Sequence, residues 1–242
     1  MASVRRTPLQ AINKNPPDKT AKQLRKRFEI TMPPVELDNI CSTLGVQVIG
    51  EKLDRDGYLL EFPDGTREIL CNDYGNSKNL RWRFTIAHEI GHLILNSISK
   101  DYEETPKYAP SEKVETWCDS FATELLLPAS WIMNYSTEIV RKLKSGQGRR
   151  LAEYAGVSVE ALRWRIWEVL HLATVVFSEN NDEVFIESII PTVGSLSKDN
   201  ARNLILKQRH LDELEHANIY GPFTGELDKH HFRILFVSKT FL

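Results

Sequence analysis

The sequence has no apolar run close to the roughly eighteen residues that a membrane-spanning helix needs. Its first residues, 1–6, do not lead into the hydrophobic core of a secretory signal. Cysteines are few: Cys41, Cys71 and Cys118 are far apart and odd in number, which argues against a disulfide framework. These absences predict free, mostly buried thiols in a reducing compartment. We therefore expect a cytoplasmic protein with no membrane partner.

The chain also lacks an excess of charge of either sign, because its formal net charge is only −2. No global electric field is therefore expected to attract nucleic acid or a membrane surface. The 242 residues are 41% hydrophobic and 26% charged, which is typical of a globular protein. This length is enough for one large domain or two small ones around a buried core.

The first 29 residues depart from this balance, since eight are Lys or Arg and two are acidic, a local charge of +6. Pro8, Pro16 and Pro17 argue against regular structure before about residue 20. Residues 20–29 have the composition of a short basic helix, which could contact nucleic acid or an acidic partner. A solvated tail is more common for such a segment, so we expect residues 1–30 to form a flexible basic N-terminus.

The next part of the chain predicts an α+β fold. Residues 33–45 have a helical apolar face that a Pro-Pro pair opens and Gly45 ends. Pro63-Asp64-Gly65 is a strong hairpin signal between the second and third of three predicted strands, at 46–49, 58–62 and 68–71. We expect these strands to form a small sheet, with an exposed edge that could pair with an extended peptide.

The most informative stretch is the sequence H-E-x-x-H at residues 88–92. Apolar residues around it have helical spacing, which predicts a mostly buried helix. On a helix His88 and His92 share one face and can bind one metal ion, while Glu89 can accept a proton from a water molecule that the ion activates. Gly91 lowers helix stability and therefore indicates a close approach of another backbone or of substrate. A core helix with two satisfied histidines is the less favoured alternative.

A catalytic zinc site usually has three protein ligands and one open position. The best source of the third ligand is a second predicted helix that begins near residue 112 and ends before Pro128. Glu115 and Asp119 are four residues apart at the edge of its apolar stripe, so both can face one site. We assign Glu115 as the third ligand. Asp119 is then the acceptor that orients a ligand histidine through its other ring nitrogen.

Three other residues of this helix carry possible ligand atoms. Glu112 is a weaker candidate, and Glu124 is about half a turn out of phase with Glu115, which favours a solvated side chain. Cys118 could bind a soft metal, but its place in the apolar stripe favours a buried core residue. A solvated position for Glu115 itself is the alternative to its role as a ligand.

Two segments resemble the ImmA/IrrE family of metallopeptidases: Arg81-Trp82-Arg83-Phe84-Thr85-Ile86-Ala87 with the histidine motif, and Glu115-x-x-Cys118-Asp119-x-Phe121-Ala122-x-x-Leu125-Leu126-x-Pro128. The family pattern has Ala and Asn where this chain has Cys118 and Asp119. The resemblance covers about residues 33–168.

This resemblance implies a minimal zincin-like domain that holds Zn²⁺ through His88, His92 and Glu115, with Glu89 as the catalytic base. Another divalent ion such as Mn²⁺ is an alternative cofactor. The substrate class that the resemblance implies is a helix-turn-helix transcriptional repressor. Its cleavage at a specific bond would release genes of a stress response or a mobile element.

Residues 151–166 have the outline of a helix-turn-helix, with Gly156 in the turn and Ser158 as the cap of the second helix. Arg163 and Arg165 on that helix would favour DNA binding. Nearby tryptophans indicate a packed helix instead, and a similar stretch recurs within the peptidase family that the chain resembles. We therefore regard direct DNA binding as the less favoured interpretation.

The last part of the chain predicts a mixed α/β module. Its pattern indicates strands near 173–178, 183–190 and 232–238 and a helix over 197–217. Such a module could be a sensor, a docking domain or scaffold. His230 and His231 could bind a second metal, although adjacent histidines in a polar segment are usually exposed.

Four segments are therefore expected: a basic N-terminus (1–30), a zincin-like metallopeptidase domain (31–135), a helix-turn-helix-like segment (136–171) and a C-terminal α/β module (172–242). The predicted function is a zinc-dependent endopeptidase. One alternative is a metal-stabilised regulator that binds DNA or protein without proteolysis. Another is a peptidase of a toxin–antitoxin type system.

Overall fold

The computed structural model describes residues 16–77, 79–99, 112–144, 147–180, 183–190, 198–199, 201, 203, 223–227 and 230–238. These residues have an α+β fold, as predicted, and form two compact units. One unit comprises Met1–Pro128 with Ala155–Val157, and the other comprises Ala129–Tyr154 with Ser158–Leu242. Among the described residues, no helix has the length and apolar character that crossing a membrane requires.

The first unit contains four helices and a three-stranded sheet within its described residues. The elements are α1 (Pro17–Arg27), α2 (Leu37–Leu44), β1 (Gln47–Gly50), β2 (Gly57–Glu61), β3 (Arg67–Cys71), α3 (Arg81–Ser99) and α4 (Glu112–Leu126). Helix α2 ends at Gly45, whose φ of +72° is readily adopted by glycine. The turn between β2 and β3 also forms as expected, because Gly65 has φ +89° and Asp64 accepts a hydrogen bond from the Thr66 N–H at 2.9 Å.

The sheet of the first unit has the order β1-β3-β2. Strand β3 pairs in parallel with β1 and antiparallel with β2, so β2 is an edge strand. The residues flanking β2, Asp56 and Phe62, hydrogen bond to the backbone beside β3. Because hydrogen-bonding direction alternates along an antiparallel strand, the backbone groups of Gly57, Leu59 and Glu61 face the outer edge.

Helices α3 and α4 pack together in the core of this unit. Ile86, Ile90 and Leu93 of α3 are fully buried, as the helical spacing predicts. A Cβ on Gly91 would lie 3.2–3.3 Å from atoms of Cys118 in α4. The close approach expected at Gly91 is therefore made by the second helix.

Part of the basic segment that was expected to be a solvated tail is instead helix α1, which packs on α4. Ala21 and Leu24 are fully buried, and the Arg25 guanidinium donates to the Oε1 of Glu124 at 3.0 Å and to its backbone oxygen. The expectation that Glu124 is solvated was wrong. A residue out of phase with the ligand face can still be buried, because α1 covers that other side of α4. Residues 1–15 lie outside the described part of the chain.

The second unit combines four helices with a second sheet in its described residues. The elements are α5 (Ala129–Asn134), α6 (Ser136–Lys144), α7 (Gly148–Ala155), α8 (Val159–Leu170), β4 (Leu172–Asn180), β5 (Glu183–Ile190), β6 (Phe223–Leu227) and β7 (His230–Ser238). The sheet order is β5-β4-β7-β6, with β4 and β7 parallel. Strand β6 was not predicted. The helix expected at 197–217 lies almost wholly outside the described residues.

The helix-turn-helix outline forms, but Arg163 is not available to DNA. Ser158 accepts a hydrogen bond from the Ala161 N–H at 3.0 Å and caps α8, as predicted. Arg163 is only 5% exposed, and its guanidinium donates to both oxygens of Thr174 and both oxygens of Ser188. Burial lowers the pKa of Arg163 to about 10. This arginine therefore joins the helix to the sheet of its own unit.

The turn before α8 accepts a hydrogen bond from Arg83 of α3. Gly156 has φ +68°, and its carbonyl accepts a hydrogen bond from Arg83 Nε at 2.9 Å. The same guanidinium donates to the backbone oxygen of Val35. A Cβ at position 156 would lie 2.8 Å from Arg83 Nε, so the contact requires glycine. This turn therefore packs on the helix that carries the histidine motif.

Candidate metal centre

Helix α3 brings His88 and His92 to one face. Their ring centroids are 4.8 Å apart, and their Nε2 atoms approach to 3.0 Å. The four-residue spacing produces this approach, because side chains at i and i+4 lie one above the other. At this distance the two nitrogens can share a proton as a hydrogen bond or bind one cation together.

Helix α4 adds the Glu115 carboxylate to the same point. Its Oε2 lies 3.1 Å from His88 Nε2, and its Oε1 lies 3.4 Å from His92 Nε2. A tetrahedral ion with bonds of about 2.0–2.1 Å would hold its ligand atoms about 3.3 Å apart. The three observed separations are close to this value, with a different oxygen of the Glu115 carboxylate nearest to each histidine, so the three side chains fit one metal ion.

Asp119 accounts for the orientation of one imidazole. Its Oδ1 lies 2.8 Å from Nδ1 of His88. When that nitrogen donates its proton to the carboxylate, Nε2 carries a lone pair that points at Glu115. Nε2 of His88 and the carboxylate of Glu115 are then two acceptors at 3.1 Å, an arrangement that a bound cation satisfies.

Glu89 lies beside this group and is only 8% exposed. Burial raises the pKa of Glu89 from an ordinary 4.5 to about 7, and the negative charge of Glu115 adds to the increase. The positive form of His88 and the backbone N–H of Leu59 oppose it. A carboxylate with a pKa near neutrality is well suited to accept and return a proton.

The other acidic candidates on α4 lie elsewhere. Glu112 is exposed in the first turn of the helix, and Glu124 is paired with Arg25 on the side that α1 covers. Cys118 is fully buried, as its place in the apolar stripe predicted. It is nevertheless close to the histidines, because its sulfur and one ring nitrogen of each of His88 and His92 lie within 4.8 Å of one another.

Sequence reasoning missed Arg55, which lies in the loop before β2. Its positive charge opposes the increase in the pKa of Glu89. Its guanidinium lies 4.7 Å from the centroid of the Tyr58 ring. Asn72 holds the loop through hydrogen bonds to both backbone groups of Leu53 and to the Arg55 carbonyl. An Asn directly after a predicted strand was the available signal, although it does not reveal which loop it binds.

Comparison with known protein families identified a match. The family described as Peptidase M78, the IrrE N-terminal-like domain, matches residues 41–166, just over half of the 242-residue chain. This range contains the histidine motif and the acidic residues on α4. No curated protein sequence matches the chain at significant similarity. The family match confirms the resemblance found from the two motif segments: the chain belongs to the IrrE N-terminal-like family of peptidases, and its α+β core is a minimal zincin-like metallopeptidase domain.

Proposed function

We propose that this protein is a zinc-dependent endopeptidase in which His88, His92 and Glu115 hold the ion. The observation that carries this proposal is the convergence of three side chains: the two Nε2 atoms lie 3.0 Å apart, and the Glu115 carboxylate places Oε2 3.1 Å from His88 and Oε1 3.4 Å from His92. Two nitrogens and one carboxylate suit Zn²⁺, and they leave a fourth position for the reaction. Mn²⁺ is the alternative ion, since a mixed site of this kind does not exclude it.

When bound, Zn²⁺ supplies a Lewis acid that makes water more acidic and polarises a peptide carbonyl. Glu89 accepts the proton of the attacking water and then donates it to the nitrogen of the broken peptide bond. Asp119 holds the His88 ring in the tautomer that presents Nε2 to the ion. Burial keeps Glu89 free of competing solvent.

The edge of β2 is the best candidate for the substrate-binding surface. Its outward backbone groups belong to Gly57, Leu59 and Glu61. A Cβ at Gly57 would lie 2.5 Å from the Thr85 side chain, so the edge strand packs directly on the helix of Glu89. A peptide that added to this edge as an extra strand would therefore pass beside the catalytic base.

The proposed substrate is a helix-turn-helix transcriptional repressor, cut in the cytoplasm to release stress-response or mobile-element genes. This part of the proposal rests on the family resemblance, and a peptidase of a toxin–antitoxin type system is its alternative. Three buried free cysteines are compatible with a reducing compartment. A regulator that binds DNA through α8 is less favoured, because Arg163 donates its hydrogen bonds within its own unit.

Two measurements test the proposal. Elemental analysis should find about one zinc per chain in the parent and little in His88→Ala or Glu115→Gln. The zinc-loaded protein should also cut members of a proteome-derived peptide library, and mass spectrometry would identify the new termini. Glu89→Gln should retain zinc but cut nothing, while Glu112→Gln on the exposed first turn of α4 should behave like the parent. Cleavage by the Glu89 variant would refute its role as the base.

A further inference from the structure

Cys118 is buried close to the metal centre. It follows Glu115 by three residues on α4 and has no exposed surface. Within the part of the chain that the structure describes, its sulfur has no hydrogen-bond partner. Gly91 makes its position possible, because a Cβ there would lie 3.2 Å from the Cys118 sulfur. The absence of a side chain at residue 91 thus lets the thiol approach α3 close to both histidines.

The three groups lie near enough to bind one ion. The ligand atoms of His88, His92 and Cys118 all lie within 4.8 Å of one another. Bonds of about 2.1 Å to nitrogen and about 2.3 Å to sulfur would bring nitrogen and sulfur to about 3.6 Å. The sulfur therefore has to move by roughly 1 Å at most, a distance that rotation of a side chain can cover.

We infer that the centre has a second ligand set, His88, His92 and Cys118, which takes a thiophilic cation such as Cd²⁺ or Cu⁺. Thiolate and imidazole are donors that soft ions prefer, whereas Glu115 offers a hard oxygen. The side chain of Glu115 is 42% exposed and can turn towards solvent when the thiolate replaces it. Cys118 loses its proton to the buffer when it binds.

The two sets share both histidines, so only one ion can occupy the centre at a time. A thiophilic ion should therefore displace Zn²⁺ by competition. This inference uses the same histidines as the proposed peptidase but does not depend on hydrolysis. The second ligand set distinguishes this centre from a zinc site in which a carboxylate is the only available partner of the two histidines.

The test is a titration of the metal-free, reduced protein with Cd²⁺ in the absence of oxygen, followed by near-ultraviolet absorption. Cd²⁺ bound to a thiolate produces a charge-transfer band that nitrogen and oxygen ligands do not. The parent should develop this band up to one ion per chain. Cys118→Ser should lose the band and at least about tenfold in Cd²⁺ affinity. Cys41→Ser changes another buried thiol and should keep both.

A second variant, Glu115→Gln, removes the carboxylate ligand and leaves the thiol intact. This variant should retain the Cd²⁺ band, with an affinity within about tenfold of the parent, while losing Zn²⁺. Binding of Cd²⁺ by the parent without a charge-transfer band would overturn the inference, as would a band that Cys118→Ser retains. Stoichiometric Zn²⁺ binding and peptide cleavage would still support the proposed function in either case, so the two failures are distinguishable.

Discussion

Replacing Glu89 by Gln should make the metal-free protein more stable at alkaline pH, although it removes the proposed catalytic base. Burial raises the pKa of Glu89 from 4.5 to about 7. Each pH unit of this difference corresponds to about 1.36 kcal/mol, so keeping the charged carboxylate buried costs about 3 kcal/mol at most. Glutamine has almost the same shape and carries no charge, so it avoids most of this cost.

The sign of the pH dependence follows from the raised pKa. The unfolded chain releases the Glu89 proton near pH 4.5, whereas the folded protein retains it until about pH 7. Between these values the folded state binds more protons, so the contribution of Glu89 to the free energy of unfolding falls as pH rises. Well above pH 7 the carboxyl is deprotonated in both states, and the loss in the free energy of unfolding is complete. Below pH 4.5 the carboxyl is protonated in both states and costs nothing.

Urea unfolding in the presence of a chelator would measure this effect at pH 5 and pH 8. We expect Glu89→Gln to raise the free energy of unfolding at pH 8 by up to about 3 kcal/mol and to change it little at pH 5. Glu153→Gln, at an exposed position, is the matched control and should have little effect at either pH. Equal pH dependence in the parent and Glu89→Gln would refute the argument from burial.

Asp119→Ala should weaken Zn²⁺ binding by about 10–100-fold, because the His88 ring loses its hydrogen-bond acceptor. Competition with a chromophoric chelator would measure the Kd for Zn²⁺, and an unchanged value would contradict the role of Asp119. Arg25→Met should lower the free energy of unfolding in urea by about 3–5 kcal/mol, because the Glu124 carboxylate stays buried and loses the Arg25 guanidinium. Lys26→Met on the exposed side of α1 should cost about 0.5 kcal/mol or less, and similar losses in the two variants would show that the pair is unimportant.

The sequence was sufficient to predict the grouping at the centre because the relevant spacings are local. His88 and His92 are four residues apart on α3, as are Glu115 and Asp119 on α4. Helical geometry then determines which side chains share a face. Once the two helices pack through Gly91, these faces meet. The β2–β3 hairpin was predictable for the same reason, since its turn signal is local.

The sequence was not sufficient where a contact joins distant segments. Arg25 and Glu124 are 99 residues apart, and neither helix carries a mark that identifies the other as its partner. Composition favoured a solvated tail because the Lys and Arg residues obscure the narrow apolar face of Ala21 and Leu24. Arg163 was misleading for a similar reason: an arginine on a helix looks exposed until the strands that bury it are known.

The position of α1 determines which part of the chain covers one side of α4 in this family domain. The family match begins at Cys41, after α1 has ended. The side of α4 on which α1 packs is therefore covered by chain that the family pattern does not include. A piece cut at the limits of the match would expose apolar surface and the Glu124 carboxylate together. In this protein, the family match therefore leaves out a helix that packs on its own core.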